Sequence, residues 1–132
     1  VSDIIRKVAW LHVADRKLLC ARTAQRGLFY VPGGKPEPGE DEISALLREI
    51  AEELGVALIS STIRRAGSFS APADGSPDKT VTISAYKADY IGQLSAGFEI
   101  AQWQFLTSAE QHRVSAVTRI ILDHLKVRNV ID

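Results

Sequence analysis

Cysteine is nearly absent from this 132-residue chain; Cys20 stands alone, so no disulfide can close within it. That pattern favours a reducing, cytoplasmic setting. Cys20 lies in the apolar run KLLCA at 17–21, where a lone cysteine reads as a small buried hydrophobe and not as a nucleophile. A surplus of one charge is also missing: 16 Lys and Arg face 16 Asp and Glu. The balance excludes a general pull toward nucleic-acid polymers or anionic membrane, so function must be sought in a local site. No apolar run reaches the roughly 18 residues that span a bilayer. No signal-peptide pattern opens the chain. His12, His112 and His124 are scattered without metal-ligand spacing, and there is no CxxC pair, nucleophile elbow, internal repeat or low-complexity tract.

What is present suits one domain over residues 1–132, with 45% hydrophobic and 24% charged residues. A chain near this length buries roughly two-thirds of the surface its unfolded form exposes. Residues 4–13 read as a strand, Asp15-Arg16 as a turn, and 17–22 as the second strand of a hairpin. A short apolar run at 28–31 ends at Pro32. The segment PGGKPEPGE that follows is too rich in proline and glycine for regular structure and reads as a shaped loop. Asp41 can cap a helix over about 42–54, in which Ile43, Leu46, Leu47, Ile50 and Leu54 recur at helical spacing and Gly55 suits the position just past its end. Residues 62–71 and 79–91 read as strands joined by a turn-rich connector at 72–78. In the second of them Val81, Ile83 and Ala85 share one face and Tyr86, Ala88 and Tyr90 the other, so either both faces are covered or a bulge shifts the phase. A strand over 100–106 carries Trp103 and Phe105. A closing helix over 115–127 has Val117, Ile120, Ile121 and Leu125 as its stripe. Trp10 and Trp103 read as core or cleft wall. Strands and helices mix without regular alternation, which points to a compact α+β or layered α/β domain.

The stretch REIAEELG at 48–55 sets Glu49, Glu52 and Glu53 together. At about 100° per residue the three carboxylates fit a sector of about 100°, a ridge beside the buried face. Each like-charge pair at three or four residues' spacing costs a few tenths of a kcal/mol, and the C-terminal end of a helix disfavours acids further. Two explanations stand: a solvated face with an Arg48–Glu52 pair, or a divalent cation. Mg²⁺ takes one or two carboxylates together with water and substrate phosphates.

The glycine loop feeds directly into this helix, and the spacing runs Gly34, five residues, Glu40, seven residues, Arg48-Glu49-Ile50, one residue, Glu52-Glu53, one residue, Gly55-Val56. This resembles the Nudix box, the signature of the Nudix hydrolases, with every defined position filled across 23 residues. The approach FYVPGG at 29–34 looks like the family's strand and loop before the box, and EIAQW at 99–103 is similar to a later segment that often supplies another acid. The resemblance implies an α/β fold, a Nudix-type α/β/α sandwich with a mixed β-sheet between helices. It implies hydrolysis of a nucleoside diphosphate linked to another group X, with Mg²⁺ required or Mn²⁺ in its place. A pyrophosphate linkage repels a nucleophile, and metal ions offset that charge, orient the phosphates and acidify water.

On this resemblance Glu49, Glu52 and Glu53 bind metal, and Arg48 orients a carboxylate at the helix–loop junction. Glu40 supports the site or binds metal through water. A carbonyl of Gly33 or Gly34 completes a coordination shell. Glu49 and Glu99 are the candidates for general base. Arg22, Tyr30, Phe69 and Tyr86 are candidates to line a base pocket, since aromatic and guanidinium planes stack on bases. The short length resembles MutT-type enzymes, which release a nucleoside monophosphate and pyrophosphate from a nucleoside triphosphate, including oxidised or noncanonical ones. ADP-ribose or nucleotide-sugar cleavage is the alternative, with Pro72 lying 16 residues past Val56 as its one sign. A nucleotide sensor without turnover is a third reading. The expected partner is a small nucleotide, with a homodimer left open.

Overall fold

In this computed structural model residues 3–97 and 99–132 are described. The first strand, β1 (Ile4–Trp10), sets the architecture. Successive side chains of a strand point to opposite faces. Val8 and Trp10 enter one apolar cluster and Ala9 and Leu11 another. Each cluster is closed by a helix. Helix α1 (Glu42–Leu54) brings Ala45, Leu46, Ile50 and Leu54 onto Val8 and Trp10. Helix α2 (Ala116–Val127) brings Val117, Ile121, Leu122 and Leu125 onto Ala9 and Leu11. The result is the α/β/α sandwich, and each large side chain buried in it contributes about 2 kcal/mol.

Strand β1 pairs in parallel with β7 (Ser76–Lys87), in unbroken register from Ile4 opposite Thr80 to Trp10 opposite Tyr86. On its other side it meets the two-residue strand β4 (Gly33–Gly34), antiparallel. With β6 (Arg64–Ala73) at the far edge, the sheet is ordered β4-β1-β7-β6 and is mixed. Strands β2 (Val13–Ala14), β3 (Lys17–Thr23) and β9 (Ile100–Leu106) form a second, antiparallel sheet; β5 (Ala57–Leu58) and β8 (Tyr90–Ile91) form a small third one. No helix among the described residues is long and apolar enough to cross a membrane.

Helix α1 runs over the span its sequence signals. Asp41 accepts the Ser44 amide at 2.7 Å, and Gly55, at φ 69°, ends the helix in the left-handed region. In β7, Ile83 and Ala85 join the α2-side cluster and Tyr86 the α1-side one, so both faces are covered and no bulge in the β1 pairing is needed.

Four details differ from expectation. The single strand over 4–13 divides, because β1 commits its backbone to β7 while Val13 and Ala14 turn to pair with Leu18 and Lys17. Asp15 and Arg16, at φ 51° and 62°, make the tight turn of that hairpin. The supposed connector at 72–78 is mostly strand, closed on Asp74-Gly75, and residues 90–91 belong to β8. Pro72 is tolerated because β6 is an edge, and Pro77 because β1 begins pairing only at Thr80. Gly33 and Gly34 are a short strand inside the segment read as loop. In α2, Ile120 is exposed while Thr118 and Leu122 are buried. Val117, Ile121 and Leu125 are buried as expected, Thr118 and Leu122 join them in place of Ile120, and the Thr118 hydroxyl is satisfied by the Val31 amide and the Ser115 hydroxyl.

Candidate functional site

The last two turns of α1 present Arg48, Glu49, Glu52 and Glu53 beside β4. Arg48 organises the acids. Its Nε and Nη2 grip the two carboxylate oxygens of Glu40, each at 2.9 Å; its Nη1 donates to Glu49 Oε1 at 2.6 Å and reaches Glu52 Oε2 at 3.4 Å. Nη2 also donates to the Lys35 carbonyl at 3.2 Å, tying the loop to the helix. The guanidinium, with the Glu37 amide next, holds the Glu40 carboxyl down to about 2. Burial pushes Glu49 up from the ordinary carboxylate range, and Arg48 opposes that shift.

Glu53 is the most enclosed of the acids. Its Oε1 accepts the Gly33 amide at 3.0 Å and its Oε2 the Tyr30 hydroxyl at 3.4 Å. Burial nevertheless raises its pKa to about 7, with the Glu49 charge adding to the rise. Burial, then Glu53, likewise raises the Tyr30 phenol.

Glycine is required where the loop meets these acids. A Cβ on Gly33, at φ 150°, would lie 1.9 Å from the Val8 carbonyl oxygen; one on Gly34 would lie 2.0 Å from Glu49 Oε2. At this same C-terminal end of α1, the amides of Ser95 and Gly97 donate to the carbonyls of Leu54 and Glu53 at 2.9 and 2.8 Å. These bonds satisfy helix-end acceptors and bring the chain round to Glu99, whose φ of 72° is left-handed. Glu49, Glu52, Glu53 and Glu99 line one open cavity of about 400 Å³.

The donor set suits a divalent cation of the Mg²⁺ class: hard carboxylate oxygens from two segments, facing one cavity. Among the described residues, no three His, Cys, Asp or Glu side chains are grouped as a metal site. Mg²⁺ does not require such a cage, because it keeps waters and shares substrate phosphate oxygens.

A second cavity, of about 380 Å³, meets the first at Glu53 and has Gly33, Gly34 and Tyr30 in its wall. Arg22, Phe69 and Tyr86 do not line it. Arg22 donates to Gln102 at 3.1 Å on β3–β9. Phe69 is buried in the α2-side cluster edge-on to His124, and the Tyr86 hydroxyl is engaged by Glu42 in the α1-side one. In their place the cavity has Lys7, Arg26, Lys35 and Lys79. Lys7 carried a signal that the strand reading passed over: it shares a face with Ile5 and Ala9, so alternation sends a charge into an apolar side.

Glu53 sets a pH dependence for the cation-free protein. Its folded pKa of about 7 lies above the ordinary glutamate value of 4.5. Its stabilising contribution is therefore complete below about 4.5 and is lost as pH rises through about 7. Thermal unfolding in chelator should show a melting temperature that falls across that window. Glu53→Gln should flatten the fall; an unchanged slope would reject the enclosure of this carboxylate.

The family model described as NUDIX domain matches residues 5–125. A Mycobacterium tuberculosis protein provisionally named 8-oxo-dGTP diphosphatase 2 is 34% identical over 92 residues, 69% of this chain and 62% of that protein. The Escherichia coli CTP pyrophosphohydrolase is 42% identical over 57 residues, 40% of this chain and 42% of its own. The matched segment thus spans less than two-thirds of either relative. Among solved structures, the solution structure of the E. coli ORF135 protein superposes with a TM-score of 0.71 and 29% identity, covering 99% of this chain and 96% of that one.

Proposed function

The chain belongs to the NUDIX family, and from that membership we propose that it is a divalent-cation-dependent hydrolase that cleaves a nucleoside triphosphate to nucleoside monophosphate and pyrophosphate. Relatives named for 8-oxo-dGTP and for CTP support a nucleoside triphosphate, oxidised or otherwise noncanonical bases included. The observation that carries the reading is the meeting of two unlike cavities at Glu53, one walled by four carboxylates and the other carrying four cationic side chains against the two carboxylates of Glu53 and Asp74. A cation-held phosphoanhydride needs the first, and further anionic groups suit the second.

Glu49, Glu52, Glu53 and Glu99 would hold the cation, with Glu40 and a Gly33 or Gly34 carbonyl as supporting groups. When bound, the cation supplies positive charge against the phosphate oxygens and makes water more acidic. Water then adds to one phosphorus of the anhydride, the bridging oxygen leaves with the bond's electron pair, and a proton passes to a carboxylate. Glu49 and Glu99 are the candidates for that base. Arg48 fixes Glu49 by one oxygen only, which leaves Oε2 free of that grip. Glu99 stands on a separate segment with an exposed side. Single-turnover comparison of Glu49→Gln with Glu99→Gln assigns the base, since an unaffected variant drops out of the mechanism.

Nothing in the geometry favours ADP-ribose: Pro72 pairs within β6 opposite Thr80 and does not line either cavity. The deciding experiment is a panel of canonical and oxidised nucleoside triphosphates, ADP-ribose, nucleotide sugars and dinucleoside polyphosphates, each with Mg²⁺ and with chelator. Mg²⁺-dependent release of monophosphate from a triphosphate is expected. Binding without turnover across the panel would instead make the domain a sensor.

A further inference from the structure

Lys7 is a charge with no visible structural purpose. It stands on β1, half-buried, on the face that opens into the second, basic cavity. Among the described residues it has neither an ion pair nor a side-chain hydrogen bond. Its surroundings make matters worse. Val8 pairs with Gly34, and Lys35, the next residue after that pair, lines the same cavity and acts on the Lys7 charge. Like charges sharing a cavity repel. Arg26 approaches as well, and Glu53 and Glu49 offer only partial relief from a distance. Burial first, then Lys35 and Arg26, lower the pKa of its ammonium group. The side chains of Lys35, Arg26 and Lys79, which share the cavity, also lack ion-pair partners among the described residues.

A methionine or leucine would fill this position at less cost, since a desolvated cation without a partner is destabilising. The arrangement makes sense when an anion completes it. A neutral base carbonyl could take one hydrogen bond but would leave the mutual repulsion of three cations in place. A group with several anionic oxygens offsets all three at once. We propose that Lys7, acting with Lys35 and Arg26, is a substrate-positioning residue that takes phosphate oxygens of the nucleotide not neutralised at the acidic cavity. The inference rests on the hydrolase reading, and it assigns the basic wall of this cavity to the polyphosphate chain.

The test uses the full chain in chelator, so that no cation contributes, with inorganic tripolyphosphate as the probe. Lys7→Gln should bind it about tenfold more weakly than the unaltered protein, the scale of one charge-assisted hydrogen bond. Lys7→Arg should recover most of that loss and Lys7→Met should not. The melting temperature of Lys7→Gln and Lys7→Met should equal or exceed that of the parent, because a repelled charge has been removed. With nucleotide and Mg²⁺, Lys7→Gln should raise KM and weaken its dependence on ionic strength. Equal tripolyphosphate affinity in Lys7→Gln, recovery by Lys7→Met, or no binding by the parent would each overturn the assignment. The two readings fail separately: a chain that hydrolyses nucleotides but ignores Lys7→Gln refutes only this one, and one that binds tripolyphosphate through Lys7 without hydrolysing anything refutes the enzyme.

Discussion

Glu52→Gln is expected to lower cation-dependent turnover by about two orders of magnitude or more, the scale on which loss of one preorganised electrostatic group acts, while the fold stays intact. The side chain is 58% exposed, and among the described residues its one ion-pair partner is Arg48, at 3.4 Å. Glutamine keeps the shape and removes only the charge. Removing it also relieves repulsion with Glu49, one helical turn back, so the melting temperature should hold or rise slightly. The pairing of lost activity with unharmed stability separates a cation-binding acid from a solvated surface acid. Steady-state rates over a Mg²⁺ titration, alongside thermal unfolding, read out both. Near-normal turnover in the variant would remove Glu52 from the site.

The largest loss of stability should follow Gly33→Ala. The new Cβ would sit 1.9 Å from the Val8 carbonyl oxygen and 2.8 Å from the Ala9 Cα. Both are backbone atoms of β1, which is bound on its other side along seven residues of β7 and cannot retreat. The φ of 150° adds strain of its own for any residue with a Cβ. A cost of about 3 kcal/mol or more is expected, or roughly 10 °C in melting temperature for a domain of this size. Activity should fall too, because the Gly33 amide holds Glu53. Gly27→Ala is the control: its Cβ would meet nothing within 4 Å. Equal melting temperatures for the two variants would contradict the described approach of β4 to β1.

Much of this could be read directly from the chain, and the limit has a physical cause. Helix α1 was legible to the residue because local signals agreed: an aspartate cap, a helical stripe and a closing glycine. The acidic ridge was legible because helical periodicity alone places three side chains together. The parallel pairing of β1 with β7 was not, since no turn links strands so far apart. The break after Trp10 therefore also stayed hidden, as did the strand character of Pro72 and Pro77. The same limit governed the basic cavity. Gly33 was found through the motif and Tyr30 by its aromatic side chain, but Lys7 and Lys79 come from different strands that only the tertiary fold unites. Arg22, Phe69 and Tyr86 were chosen for side-chain chemistry, and chemistry alone does not say which way a residue faces. Phe69 and Tyr86 went to the core on opposite sides of the sheet.

The pairing of Ile4 with Thr80 has a consequence for how the protein comes into being. The glycine segment and the acidic helix are both synthesised well before the strand that locks β1 in place. Closing so long a loop is entropically costly and slow. A nascent chain that has already made every box residue still lacks the platform that orients them. Competence should therefore appear late and all at once, when β7 docks, and not grow gradually as the motif emerges.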